Sequence, residues 1–143
     1  MIVKAILAAK GGDVVSIEPT ADLSAAVKLL VSRRIGAVVV VGPGGRLAGI
    51  LSERDIMRAV SEHCESTLSL PVAQFMTRNV ETCGEEDSCA SLMERMTEGK
   101  FRHLPVVTQG KLVGIVSIGD VVKQRVDEIE RESEAMREYI RTA

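Results

Sequence analysis

Gly49-Ile50-Leu51-Ser52-Glu53-Arg54-Asp55 and Gly114-Ile115-Val116-Ser117-Ile118-Gly119-Asp120 share the form Gly-Ile-aliphatic-Ser-x-x-Asp, 65 residues apart. The repetition extends upstream. Val14 to Val41 aligns on Val80 to Val107 at an offset of 66, and one residue of hairpin loop accounts for the difference. A tandem repeat constrains the fold more than any composition does, because both halves must adopt one topology. In a chain of 143 residues each unit of about 60 residues is marginal alone, so the two are expected to share a core.

Composition narrows the class of that fold. Hydrophobic residues make up 45% and charged residues 27%, the balance of an ordinary globular protein rather than a disordered one. Aromatics are only 2%, so the core must be aliphatic. The net charge of −2, with no basic stripe and few stacking aromatics, argues against nucleic acid as a partner. Cys64, Cys83 and Cys89 form no C-x-x-C pair and have no histidine at metal-ligand spacing. They read as small buried hydrophobes, with no metal site expected. The apolar run near the start is closed by Lys10 and is too short for a secretory signal, and no segment approaches the ~18 apolar residues of a membrane span. A reducing, cytoplasmic setting without membrane contact is the expectation.

Each unit reads as strand, helix, strand, hairpin, strand, helix, an α/β fold of the mixed α+β kind. In the first, Val14 to Ile17 is a short strand and Asp22 caps a helix whose apolar stripe is Leu23, Ala26, Val27, Leu30 and Val31. Ile35 to Val41 is a buried strand, Gly42-Pro43-Gly44-Gly45 a hairpin turn, Leu47 to Leu51 the return strand, and a second helix begins near Ser52. In the second unit Ser88 replaces Asp22 as cap, and Cys89, Leu92, Met93 and Met96 form the stripe. Phe101 to Val107 is the buried strand, where Pro105 points to an edge or a bulge, and Gln109-Gly110 turns the chain into Leu112 to Val116. His63 to Met76 reads as a polar connector ending in a helical turn at Val72 to Met76, and a similar turn spans Val3 to Ala9. The domain reading is therefore repeat 1 over 1–66 with its N-terminal turn, repeat 2 over 67–126, and a helical extension over 127–143. In that last helix Val122, Val126, Ile129, Ser133, Met136 and Ile140 recur at alternating spacings of 4 and 3, a seam suited to homodimerisation or to lying back on its own domain.

Ser52 with Asp55, and Ser117 with Asp120, match the capping box that starts a helix. The same geometry also presents free amides, a hydroxyl and a carboxylate, which suit a phosphate and a ribose. The motif by itself leaves both readings open.

The tandem β-α-β-β-α pattern, with Leu104-Pro105-Val106-Val107 followed by Gly110-Lys111-Leu112-Val113-Gly114-Ile115-Val116-Ser117, resembles the cystathionine-β-synthase (CBS) domain pair, or Bateman module, over about residues 1–130. The resemblance implies two repeats about a pseudo-twofold axis and a cleft between them for AMP, ADP, ATP, NAD(H) or S-adenosylmethionine. It also implies crossed sites. One would join Ser52, Arg54 and Asp55 to Thr77, Asn79, Glu81, Phe101, Arg102 and His103. The other would join Ser117, Ile118 and Asp120 to Lys10, Asp13, Val15, Ile35, Gly36 and Ala37. Asp55 or Asp120 would take ribose hydroxyls, the serines a phosphate oxygen, and Phe101 or Ile35 would flank adenine. Arg54, Arg102 and His103 would supply the first site with charge-assisted donors, leaving the second with Lys10 as its cation.

The expected function is a non-enzymatic regulatory module that needs no catalytic cofactor. Ligand would shift the population of inter-repeat arrangements. Because the repeats consume the chain, output would pass to a separate effector protein or through a homodimer. A structural assembly module with empty clefts is the alternative. An enzyme is not expected: His63 and His103 have no evident nucleophile or acid partner, and Gly42-Pro43-Gly44-Gly45 lacks the continuation of a phosphate loop.

Overall fold

A computed structural model of the chain describes residues 2–143. Met1, with which the expected first repeat opens, lies outside them. In chain order the elements are α1 (Val3–Lys10), β1 (Ser16–Ile17), α2 (Leu23–Arg33), β2 (Ala37–Val41), β3 (Leu47–Ser52), α3 (Glu53–His63), α4 (Cys89–Gly99), β4 (His103–Thr108), β5 (Lys111–Ser117) and α5 (Ile118–Thr142). The fold is mixed α+β, as the repeat pattern requires.

Local chemistry starts and stops the helices where the repeats predict. The Asp22 carboxylate accepts from the Ala25 amide at 2.8 Å, and the Ser88 hydroxyl accepts from the Ser91 amide at 3.1 Å. Helices α2 and α4 end at Arg34 and Lys100, equivalent positions that both take the left-handed conformation, with φ of 54° and 57°. Leu23, Ala26 and Leu30 are buried, as are Cys89, Leu92 and Met96. Val31, expected on the first stripe, is instead 72% exposed. Eight residues carry it about 80° past Leu23 around the helix, beyond the edge of the buried face.

Strand β1 pairs parallel with β2, and β2 antiparallel with β3; β4 and β5 form a separate antiparallel pair. Each hairpin has a bulge at the same repeat position, between Val40 and Val41 and between Val106 and Val107. Pro105 explains why the second sheet has one strand fewer. Its counterpart Val39 donates its amide to the Val15 carbonyl at 3.3 Å, whereas a proline has no N–H to give. What survives of the parallel pairing is a bridge at Cys83, whose amide reaches the Pro105 carbonyl and whose carbonyl accepts from Val107.

Each half of the repeat has a cluster of buried residues of its own. One holds Leu23, Leu30, Val38, Val40, Leu51, Val72 and Phe75; the other holds Val3, Ile6, Leu92, Met96, Leu104, Val106, Val116 and Val121. The compact units are correspondingly Val14–Glu81 and a discontinuous unit joining the segment up to Asp13 to Thr82–Ala143. Each repeat thus completes its core with a helical turn that precedes the other repeat in sequence.

The stretch His63 to Met76 is accordingly more than a connector. It forms 3-10 turns over Cys64–Ser69 and Val72–Gln74, and Thr67 is buried with its hydroxyl donating to the Cys64 carbonyl at 2.6 Å. The Leu23 amide donates to the Leu70 carbonyl and the Val72 amide to the Ala21 carbonyl, at 2.9 and 2.8 Å. Its polar surface residues hide an apolar subset, Val72, Phe75 and Met76, that faces the core. Helix α5 is the opposite case. Of its 25 residues only Val121 is fully buried, and at 1.5 Å per residue the helix is about 37 Å long.

Candidate functional site

In the unit Val14–Glu81, β3 delivers Ser52 in extended conformation to the start of α3. The Asp55 amide donates to the Ser52 hydroxyl at 3.3 Å, and the Ser52 amide donates to Asp55 Oδ2 at 2.8 Å, closing the capping box. The Ser52 hydroxyl also donates to Oδ2, at 3.1 Å. Asp55 is buried, and its remaining oxygen Oδ1 is held by Arg58 at 2.9 Å. Arg58 was not among the expected site residues, although its spacing of three from Asp55 on a helix is the ordinary signal for such a pair. Arg54 is exposed.

The start of β2 lies against this cap. The Glu53 amide donates to the Gly36 carbonyl at 3.0 Å, and Ala37 is the register partner of Ser52. Thr77 exchanges both backbone hydrogen bonds with Ile50, at 2.9 and 3.0 Å, immediately over Gly49. Val15 and Ile35 pack partly against the core, while Asn79 and Glu81 are exposed. An apolar recess of about 380 Å³, among Pro19, Pro43, Ala48 and Met76 with Arg46 and Arg78, lies by the β2–β3 turn and contains none of the expected residues.

The other unit repeats the construction with different partners. The Ser117 amide donates to Asp120 Oδ2 at 2.8 Å, and the Asp120 amide donates to the Ser117 hydroxyl at 3.2 Å. Lys10, at the end of α1, places Nζ 2.7 Å from the same Oδ2 and 2.9 Å from the Ile115 carbonyl. Asp120 Oδ1 takes no hydrogen bond among the described residues, and the ammonium of Lys10 keeps a third donor. Burial pushes the Asp120 carboxyl up, but the Lys10 hydrogen bond, the Ser117 amide and the Lys10 charge outweigh it and hold the group below its ordinary value.

Arg102 and His103 adjoin this second cap. The Ile118 amide donates to the Arg102 carbonyl at 2.8 Å, and His103 is the register partner of Ser117. Phe101 packs partly against the unit's own core, its ring crowding Gly99. Asp13 is exposed. Each capping box therefore carries, from its own unit, a β-strand start that the resemblance assigns to the other site.

The two boxes differ in what they leave open. Around Asp55 both carboxylate oxygens are engaged, whereas Asp120 presents one spare acceptor beside a cation. Neither arrangement contains an activated nucleophile. Burial, then the Asp87 charge against the opposing Arg95, push the Cys83 thiol up to about 11, so it remains a neutral core group. No cluster of three or more metal-ligating side chains exists among the described residues. No described helix is long and apolar enough to cross a membrane.

A profile of the CBS domain matches twice, over residues 3–62 and 72–127. The chain belongs to the CBS-domain family. It is 44% identical to a CBS-domain containing protein from Agrobacterium tumefaciens whose crystal structure superimposes with a TM-score of 0.85, over 87% of this chain and 92% of that one. A CBS domain pair in complex with 5'-methylthioadenosine and S-adenosyl-L-methionine is 25% identical, with a TM-score of 0.78 over 90% of this chain and 98% of that one. A CBS domain protein from Pyrobaculum aerophilum complexed with AMP is 28% identical, with a TM-score of 0.75 over 84% of this chain and 89% of that one. Among curated relatives, a mitochondrial CBS domain-containing protein of Arabidopsis thaliana is 38% identical over 119 residues, which is 80% of this chain and 58% of that protein. The CBS pair is thus the part of that longer relative which this chain spans.

Proposed function

We propose that this CBS pair is a regulatory module that binds an adenosine-bearing ligand, AMP, ADP, ATP, NAD(H) or S-adenosylmethionine, at its capping-box half-sites and performs no catalysis itself. The observation that carries the reading is the second box, where Asp120 Oδ1 is an open acceptor and Lys10 stands 2.7 Å from the neighbouring oxygen. A ribose diol donates to a carboxylate, and an ammonium offsets the desolvation of a phosphate. AMP, methylthioadenosine and S-adenosylmethionine, the ligands of two structural neighbours, have adenosine in common, so the adenosine moiety is the shared determinant. Sequence alone favours the Asp55 half because Arg54, Arg102 and His103 are assigned to it. Carboxylate geometry favours the Asp120 half, since a ribose at Asp55 must first displace Arg58.

Binding is read out by a separate effector protein or through a homodimer, in a reducing cytoplasmic setting that suits three cysteines free of disulfides. The test is titration calorimetry with AMP, ATP, NAD and S-adenosylmethionine. Asp120→Asn keeps the shape of the box but removes the charge, and is expected to weaken the best ligand about tenfold, as loss of a charged hydrogen bond does. Asp55→Asn is expected to weaken it less. If no member of the panel binds, or if Asp120→Asn leaves affinity intact, the assignment is wrong. Thermal melting with saturating nucleotide separates this reading from a purely structural module, which would show no shift.

A further inference from the structure

Helix α5 carries an apolar seam that nothing in the described chain covers. Val122, Val126, Ile129, Met136 and Ile140 are all exposed, from 41% at Val122 to 69% at Ile140. The helix uses another face against its own unit, through buried Val121 and the half-buried Glu128. The seam therefore remains available to a partner. Its spacing assigns Val126, Ser133 and Ile140 to the a positions of a heptad and Val122, Ile129 and Met136 to the d positions. Flanking it are Lys123, Glu130 and Arg137 at e, and Arg125, Glu132 and Tyr139 at g.

Charge at these flanks selects an orientation. In a parallel pair each g residue faces the partner's e residue five positions on, which sets Arg125 opposite the partner's Glu130 and Glu132 opposite the partner's Arg137. Both contacts are attractive, and symmetry doubles them. In the antiparallel alignment that pairs all six seam positions, Glu130 meets the partner's Glu130, Glu132 meets the partner's Glu132, and Lys123 meets the partner's Arg137. All three contacts are repulsive. Arg125 already holds Glu128 at 2.9 Å, but a guanidinium has five donors and can bridge both carboxylates. Val126 and Ile140 at a are β-branched, as are Val122 and Ile129 at d, and Ser133 interrupts the apolar seam, so the flanking charges rather than the seam residues carry the orientation.

We propose that α5 pairs with α5 of a second copy of this chain as a parallel, in-register, two-stranded coiled coil. The pairing supplies the homodimer route of the proposed function and stands apart from its ligand. A failed nucleotide titration leaves it intact, and a failed dimer leaves the titration readable.

Sedimentation equilibrium on the full chain tests it. Arg137→Glu turns an attractive contact into a repulsive one in the parallel arrangement and is expected to raise the dimer dissociation constant about tenfold. Glu132→Arg combined with Arg137→Glu should restore it. In the antiparallel arrangement Arg137→Glu relieves repulsion by Lys123 and tightens the dimer, so the sign of the effect decides. Ser133→Cys in a Cys64→Ser background should form a disulfide between the two copies of residue 133 under mild oxidation. These positions on α5 are fully solvated, so folding is not at stake. A chain that stays monomeric at its highest soluble concentration, a dimer tightened by Arg137→Glu, or a dimer that persists without the disulfide overturns the proposal.

Discussion

At the scale of residues, the ion pair between Lys10 and Asp120 joins positions 110 apart in the chain, and its energy is bound to pH. Asp120 is held below its ordinary value of 3.8. A depressed carboxyl contributes stability that is fully present above the unfolded value and is lost as pH falls through the folded one. Lys10→Met is thus expected to lower stability by about 1 kcal/mol or less near neutral pH, the range of a partly exposed pair. The difference between variant and parent should shrink as pH falls through the depressed folded value of Asp120, because protonation removes the charge that Lys10 pairs with. A difference that persists unchanged in acid would mean that the pair is not formed. The capping residues Asp22, Ser52, Ser88 and Ser117 are legible in the sequence because a cap acts within three residues. The Lys10 contact is not legible from spacing at all, and only the family resemblance places Lys10 with Asp120. The Arg58–Asp55 pair is legible too, as an i,i+3 pair on one helix.

At the scale of elements, the two motif glycines show how one sequence pattern serves two different contacts. A Cβ on Gly49 would sit 2.6 Å from the Thr77 carbonyl oxygen and 3.0 Å from Met76 Sδ, against backbone pinned to Ile50 by two hydrogen bonds. A Cβ on Gly114 would meet Leu7 Cδ2 at 2.6 Å, and a leucine can change rotamer. Gly49→Ala is expected to cost about 2–3 kcal/mol and Gly114→Ala about 1 kcal/mol, by urea denaturation. Equal losses would show that the rigidity of the neighbour does not matter. The strands, the hairpins and the bulge beside Pro105 follow from β-branched runs, turn residues and the missing proline N–H, which are local. The turn at Val72–Gln74 is legible as a helical turn but not as core, because nothing in its own periodicity states what it packs against.

At the scale of the whole molecule, the sequence divides at its repeats, over 1–66 and 67–126, whereas the compact units divide by exchange of the preceding helical turns. The exchange makes a test. Cys64 is exposed, while Cys83 and Cys89 are buried in the unit that contains α1. Alkylation of the native chain should label Cys64 alone. Deleting residues 2–12 removes Val3 and Ile6 from the core around Cys89 and Leu92, so Cys83 and Cys89 should become reactive although the deletion adjoins the first repeat. Continued protection of both would show that α1 is dispensable to that core. The same exchange sets an order of assembly during synthesis. The unit Val14–Glu81 has all its parts as soon as Glu81 has emerged from the ribosome. The residues made before it must wait, with Val3, Ile6 and Leu7 bare, until β5 and the start of α5 arrive. Helix α1 is therefore made before the unit Val14–Glu81 but seated only after it, and in the interval its apolar face stays exposed.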